Sequence, residues 1–423
     1  MNRTTAAKVV KAAFVAFIAA SALLIAYTVF STADSTDFTS SAFLYLLGRV
    51  SGLIGFVMLS SLIVSGDVAR FFDRFFGLDK IINFHRKYSL VVALFVVFHP
   101  IFIILFYWNL FDYIIPRASA IPLSLGILGF YAYLMVEISS RVAKRISYNI
   151  WQFLHVLTYM LFFFTLYHAL FQGTDTRNPA ILALFSLLLL AIITGIIYRT
   201  SYKLKQRNSR YFVKEVKWET KDTFTLTLKQ EGKLAFKPGQ FCFLRLENRG
   251  LYARHPFSIS NVPSDQDLEF TIKLKGPFTK AAAELKPGEE VKLEGPFGVF
   301  TLEEETKNAV FFAFGVGITP FMSIIRDASL SGTNRNVTLL YASRSPEDII
   351  FREKFASING EWLKKVFVVS GGKESPGEYI IGKISEELVK GNVKDIEYSD
   401  FYLCGSEEVK TFIKKTLVGI GVS

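Results

Sequence analysis

Five histidines occur in this chain, and four of them fall in apolar stretches as two pairs: His85 with His99, and His155 with His168. The members of each pair stand fourteen and thirteen residues apart. Along an α-helix that is roughly 20 Å, a large part of the roughly 30 Å hydrocarbon layer of a bilayer. An ionisable residue inside a membrane span is a functional hypothesis by default, and neutral imidazole is a good ligand for haem iron. Two such helices side by side could clamp two flat cofactors, one near each membrane face. The duller alternative has each histidine bonding a backbone carbonyl or lining a polar cavity. It suits one histidine better than four at matched depth on two helices of the same direction. On that reading His85 faces His155 and His99 faces His168.

The spacing makes a further demand. At about 100° per residue, a fourteen-residue step returns to within about 40° of the same helix face, whereas a thirteen-residue step misses it by about 140°. A straight helix cannot point His155 and His168 alike, so a local 3₁₀ or π irregularity between them, or a rotation of the two cofactors, is expected.

The elements that must carry these residues follow from composition. Of 423 residues, 51% are hydrophobic and 42 are Phe. The apolar load fills the first half. Six stretches are long enough to span a bilayer: approximately Val9–Phe30, Ala42–Ser65, Phe84–Tyr107, Ile121–Ile138, Ser147–Phe171 and Pro179–Tyr198. The first has a basic start but no small-residue cleavage site followed by a soluble domain, so it reads as a retained helix. The net charge of +11 does not point to nucleic acid, because the basic residues cluster beside the spans. Arg3, Lys8 and Lys11; Arg70, Arg74, Arg86 and Lys87; Arg141, Lys144 and Arg145; and Lys203, Lys205, Arg207 and Arg210 are such flanks. The connection with Asp34 and Asp37 is acidic, and those with Asp112/Arg117 and Asp175/Arg177 are nearly neutral. Basic flanks mark the cytoplasmic side and touch lipid headgroups. Both termini and the second half are therefore expected in the cytoplasm, on a protein integral to the plasma (cytoplasmic) membrane. The two cysteines, Cys242 and Cys404, build no disulfide framework, which fits a reducing compartment.

Arg49 lies inside the second span near its outer end. It either snorkels to the headgroups or serves there as a partner for a cofactor carboxylate or a developing anion.

Beyond a polar, basic linker come short strand patterns separated by Pro, Gly and Asn/Asp: Tyr211–Val216, Thr223–Lys229, Gln240–Leu246, Leu268–Leu274 and Glu290–Glu294. They read as a small antiparallel barrel. From about Asn308 strands alternate with helices, the pattern of a parallel sheet. The fold expected is thus a six-helix all-α membrane bundle (1–200), a linker (201–210), an antiparallel β-barrel domain (211–305) and an α/β parallel-sheet domain (306–423).

Three motifs in this half could hold nucleotides. Arg254-His255-Pro256-Phe257-Ser258 follows a strand; Arg254 could pair a pyrophosphate and Phe257 could stack on an aromatic ring. Lys273-Leu274-Lys275-Gly276-Pro277-Phe278-Thr279 ends another strand with a turn rich in backbone amides. Phe314-Gly315-Val316-Gly317-Ile318-Thr319-Pro320 sits between a strand and a helix, where glycines let a pyrophosphate approach helix N-terminal amides. Arg344 ends the next strand, where a ribose 2′-phosphate would lie, or it is an ordinary surface charge.

In this order the motifs resemble those of the NADPH oxidase and ferric reductase superfamily, over nearly the whole chain. The resemblance implies a ferric-reductase-type membrane domain with His85, His99, His155 and His168 as ligands of two b-type haems. A ferredoxin–NADP reductase-like module would follow. Arg254, Pro256, Phe257 and Ser258 would then bind FAD, with Ser258 near the flavin N5, and the Gly276–Thr279 turn would hold its phosphates. Gly315, Gly317, Thr319 and Pro320 match the nicotinamide-nucleotide loop, and Cys404-Gly405 matches a Cys-Gly pair beside the nicotinamide. The chain departs from the family where Ser406 stands in place of a common proline, where its last aromatic residue is Phe412, and where Ile103 occupies the place of a second outer histidine of the animal oxidases.

The implied activity is transmembrane electron transfer from cytosolic NADPH through FAD and two haems to an acceptor on the outer face: dioxygen, giving superoxide, or ferric iron. A reading of another class, a transporter with a nucleotide-sensing domain, predicts no haem spectrum. No regulatory segment or obligate protein partner is evident in the sequence.

Overall fold

The computed structural model describes residues 3–33, 40–143, 145–207, 209–371 and 378–422. Asp34, Asp37 and Lys144, used above to argue orientation, lie outside them. The chain divides into two compact units, Met1–Lys205 and Gln206–Ser423.

The first unit is all-α. Helices α1 (Arg3–Ser31), α2 (Ser40–Asp67), α4 (Leu78–Tyr107), α6 (Ile121–Arg141) and α9 (Pro179–Arg207) are long and apolar. Between them lie the short helices α3 (Ala69–Phe76) and α5 (Leu110–Ile114), and the fifth span is two helices, α7 (Tyr148–Val156) and α8 (Thr158–Gln172). Among the described residues, six spans are long and apolar enough to cross a membrane. Helices suit such spans because they pair backbone amides and carbonyls within the segment, as hydrocarbon requires. Leu46, Phe56, Leu161, Phe162 and Phe185 form the centre of the bundle. The fifth span breaks at Leu157, whose amide donates to Leu154 O at 3.2 Å, three residues back. This 3₁₀-type step is the irregularity that the thirteen-residue spacing demands. The stretch 201–210, expected as a linker, is instead helical as far as Arg207. Its Lys, Gln and Arg residues are good helix formers, so α9 continues past the apolar span.

The second unit begins with a six-stranded antiparallel sheet in the order β4-β3-β6-β1-β2-β5. The strands are β1 (Tyr211–Thr220), β2 (Thr223–Gln230), β3 (Phe241–Leu246), β4 (Leu251–Ser258), β5 (Leu268–Lys273) and β6 (Glu290–Phe297), with the short helix α10 (Pro277–Ala283) after β5. The edges β4 and β5 meet at one bridge, Ile259 to Phe270, so the sheet curls toward a barrel. The core is apolar, with Phe224, Leu226, Leu244 and Phe270 fully buried.

A parallel sheet follows, in the order β10-β9-β8-β7-β11. Its strands are β7 (Asn308–Phe314), β8 (Asn336–Ser343), β9 (Leu363–Val369), β10 (Ile380–Ile381) and β11 (Ser399–Cys404). Helices α11 (Thr319–Ser331), α12 (Arg352–Ser357), α13 (Glu386–Asn392) and α14 (Glu407–Gly419) accompany them. Two buried clusters cover its two faces, one containing Phe311 and Phe321, the other Phe312 and Ile413. Sheets of this kind are covered on both sides because each crossover lays a helix on a face. Since β8 and β11 flank β7 on opposite sides, strand order reverses at β7/β11, and ligands bind outside the strand ends at such a switch point.

Candidate functional site

The two histidine pairs lie at two levels of the bundle. His85 on α4 faces His155 on α7 with ring centres 6.3 Å apart. His99 on α4 faces His168 on α8 at 6.2 Å. The first pair is called proximal here, because it lies toward the end at which α9 leaves the bundle; the second is distal. Two imidazoles on one metal, each bonded at about 2 Å, would have ring centres about 6 Å apart. Both pairs fit a metal held on two opposite sides.

The distal pair is seated by backbone. His99 Nδ1 lies 2.8 Å from Gly48 O and His168 Nδ1 lies 3.0 Å from Pro122 O. A carbonyl only accepts, so each Nδ1 carries the proton and each Nε2 is bare, the form a metal ligand needs. The seats are glycines. A Cβ at Gly52 would come within 2.5 Å of His99 Nδ1, and one at Gly126 within 2.6 Å of His168 Nδ1. In the proximal pair, His155 meets side chains. Its Nδ1 meets Ser140 Oγ at 3.5 Å, and the Trp151 ring stacks on His155 at 5.1 Å. Among the described residues no group of three or more His, Cys, Asp or Glu could hold a metal ion. Two-imidazole sites of this kind suit a metal that brings its other donors with it, and the planar ring of a haem does so.

Arg49 is partly buried and pairs with the buried Asp175. Its Nε donates to Asp175 Oδ2 at 2.9 Å, its Nη2 donates to Asp175 Oδ1, and Nη2 also reaches Thr32 Oγ1 at 3.2 Å. Its side chain is 15% exposed and that of Asp175 7%, and Arg49 adjoins Gly48, whose carbonyl holds His99. Asp175, read in sequence as part of a near-neutral connection, is the partner that sequence alone did not reveal.

In the second unit, the Arg254–Ser258 segment, expected to follow a strand, lies within strand β4. Alternation along a strand then splits it between two faces. Arg254 and Pro256 are exposed, while His255 and Phe257 turn inward. Arg254 pairs with Glu294 at 3.2 Å and lies over the Phe243 ring at 4.9 Å. His255 and Phe257 both stack on Phe278, at 4.0 and 5.7 Å, so Phe257 is engaged within its own domain and not on the Arg254 face. Burial in this stack pulls the His255 imidazole below its ordinary pKa. Ser258 closes the strand opposite Phe241. Lys273, expected at a cofactor, pairs with Asp222 at 2.9 Å. In the turn after β5 the Thr279 hydroxyl accepts from the amides of Lys275 and Gly276 at 2.8 and 3.0 Å, bracing the loop before α10.

The glycine loop and the Cys-Gly pair come together at the switch point. Cys404 on β11 is in register with Ala313 on β7. A Cβ at Gly317 would meet Cys404 O at 2.4 Å, so only glycine permits the two strand ends to approach so closely. Gly315 sits at φ 52°, and Gly405 packs against Phe314. Thr319 and Pro320 are buried, and the Thr319 hydroxyl donates to Val316 O at 2.7 Å. These two residues shape the start of α11 rather than offering polar atoms outward. Burial pushes the Cys404 thiol above its ordinary range, with Lys410 opposing. Arg344 is exposed at the end of β8.

Comparison with known proteins bears on the same regions. Residues 51–166 match a ferric reductase-like transmembrane component, residues 209–301 an FAD-binding domain and residues 311–415 an oxidoreductase NAD-binding domain. The chain is 28% identical over 206 residues to the sulfhydrogenase 2 subunit gamma of Pyrococcus furiosus, covering 46% of this chain and 70% of that one. It is 32% identical over 202 residues to the reductase component of propane 2-monooxygenase of Rhodococcus jostii, covering 44% of this chain and 53% of that one. It therefore spans only about half of the second relative. Among solved structures, the FAD/NAD-binding domain of the Vibrio cholerae nitric oxide dioxygenase aligns with a TM-score of 0.45 at 24% identity, over 51% of this chain and 94% of that one.

Proposed function

The chain has the ferric reductase and NADPH oxidase architecture, a membrane domain followed by FAD- and NAD-binding domains, and from that premise we propose that it carries electrons from NADPH through FAD and two b-type haems to dioxygen on the opposite face of the membrane, yielding superoxide. The observation that supports this most directly is the pair of facing imidazole sets inside the spans, 6.3 and 6.2 Å between ring centres.

Bound flavin supplies the change from hydride to single-electron transfer, and bound haem supplies one-electron relay. In this reading His85 and His155 hold the proximal haem, and His99 and His168 the distal one. Gly48 and Pro122 fix the distal tautomers through Nδ1. Were haem bound there, each pair of imidazoles would supply both protein ligands to the iron, and the group would provide one-electron exchange with an acceptor that does not bind the metal. Arg49, balanced by Asp175, keeps a cation beside the distal site where an anionic product forms. Arg254 offers its guanidinium to the flavin phosphates, with Ser258 at the strand end near the flavin ring. The Gly315–Gly317 turn gives a pyrophosphate close access to the backbone, Cys404 packs its thiol beside the nicotinamide, and Arg344 pairs the 2′-phosphate. In this reading the dehydrogenase half and both termini are cytoplasmic, an orientation that the basic flanks favour, and the membrane is the plasma membrane.

Ferric iron is the second acceptor, favoured by the description of the matched membrane domain. A dithionite-reduced absorption spectrum is the first test: two b-type haems per chain are expected, and purified material that is yellow with flavin alone would end the proposal. Superoxide-dismutase-sensitive cytochrome c reduction supports dioxygen as acceptor. Reduction of chelated ferric iron under nitrogen, without that signal in air, supports the second reading. Arg344→Ala is expected to raise KM for NADPH about tenfold, the loss of a charge-assisted contact, with KM for NADH unmoved; equal changes for both would remove the 2′-phosphate role.

A further inference from the structure

A charged cluster deep in the helical bundle has no part in the electron path described above. Asp67 ends α2, Tyr159 lies in the first turn of α8, and Arg199 is on α9. The Tyr159 hydroxyl donates to Asp67 Oδ1. Arg199 Nη1 donates to the same oxygen at 3.2 Å and to Tyr159 Oη at 2.9 Å. The Asp67 side chain is only 2% exposed, and its Oδ2 has no hydrogen-bond partner among the described residues. Gly195 lets α9 come this close: a Cβ there would lie 3.1 Å from Asp67 Cβ and 3.3 Å from Oδ2. A carboxylate in such a place is costly, and a chain that retains one gives it work to do.

Its position says what the work is. Tyr159 follows His155 by four residues, one helical turn, across the break at Leu157. Asp67 adjoins Gly66, whose own built Cβ would lie 3.7 Å from His85 Cε1. The cluster therefore ties the span that carries His155 to α2 and α9, and its Asp67 is the chain neighbour of Gly66, which lies beside His85. The break removes the ordinary helical bonds that would hold the start of α8 in line with α7, and the Asp67–Tyr159 bond supplies a tertiary tie at that turn. In a low-dielectric surrounding, the two opposite charges also act on whatever charge the proximal site carries.

We propose that Asp67, Tyr159 and Arg199 form a charge-balanced clamp that positions His155 and sets the reduction potential of the proximal haem, a role that rests on the two-haem reading. Asp67 favours the more positive, oxidised centre and Arg199 the reduced one. Because the charges oppose, removing them singly moves the potential in opposite directions. A purely structural clamp has no such sign.

The test is a reductive titration of the full-length, haem-loaded protein followed by visible absorption, with the proximal component identified as the one retained in His99→Ala. Asp67→Asn is expected to shift the proximal one-electron equilibrium at least tenfold toward the reduced form, 59 mV upward. Arg199→Gln is expected to shift it as far downward, and the double variant to return within threefold of the wild type. Tyr159→Phe keeps both charges, so it should leave the potential within threefold while altering the low-spin EPR signal of the proximal centre. Shifts of the same sign in both single variants, or none, overturn the clamp as a device that sets potential. Where a single variant loses the proximal haem, recovery in the double variant supports the proposal and failure to recover overturns it. Absence of haem from the wild type overturns the two-haem reading and the clamp with it, whereas a normal wild-type spectrum with unmoved potentials overturns the clamp alone.

Discussion

The two imidazole pairs have nearly equal separations but opposite construction. The distal pair is held by main chain: two carbonyls accept from Nδ1, and two glycines leave room for the rings. In the proximal pair, His155 meets side chains: a serine at the limit of hydrogen bonding and a stacked tryptophan, with a charged cluster one helical turn away. Backbone carbonyls of packed helices have no rotamers, so they fix a ring tightly and leave little to adjust. Side chains can be retuned one atom at a time. A site that must only keep its geometry is served by the first device; a site whose potential must match a donor is served by the second.

Substitutions can break that contrast. The largest effect is expected from His99→Ala, which should leave one haem per chain and abolish reduction on the far side while NADPH still bleaches the flavin; two haems in this variant would refute the pairing. Gly126→Val comes next. Its side chain would intrude on the His168 ring, so distal haem occupancy should fall at least tenfold with the proximal haem intact. Gly66→Ala, with 3.7 Å to His85 Cε1, should retain both haems. Equal losses in the two variants would show that the seats do not differ. Asp175→Asn removes half of a buried ion pair and is expected to cost about 3 kcal/mol, read as a lower melting temperature, and to shift only the distal component of a redox titration. The smallest effect belongs to Ser140→Ala, whose 3.5 Å contact with His155 is too long to be worth much; haem content should change less than twofold. A loss comparable to that of Gly126→Val would mean that the proximal pair depends on one hydrogen bond after all.

Much of this could be read along the chain. Spans declare themselves by apolar length, and strands and helices of the second half by their periods. Four histidines at two depths are visible as spacing, and so is the need for a break between His155 and His168, because helical geometry is local. The alternation of strands and helices likewise placed Gly315 and Gly317 at a strand end before any coordinates were needed. Local pattern is silent about which neighbours a residue meets. Arg254–Ser258, expected to follow a strand, lies within strand β4, whose period of two sends Phe257 inward to Phe278. Thr319, read as a ligand, is turned inward to bond Val316. Lys273, read the same way, is paired with Asp222.

What the sequence by itself determined is therefore the order of the machinery: spans, their histidines, then the motif-bearing domains, each legible because its signal is contained within a few helical turns. The tertiary structure alone decided which residues meet. Arg49 and Asp175 stand 126 residues apart in the chain, Asp67 and Arg199 132 apart, and Gly317 meets Cys404 only where two parallel strands end side by side. No local pattern encodes such partners, because burial and charge compensation are properties of packed surfaces and exist only once the helices and strands have closed on one another.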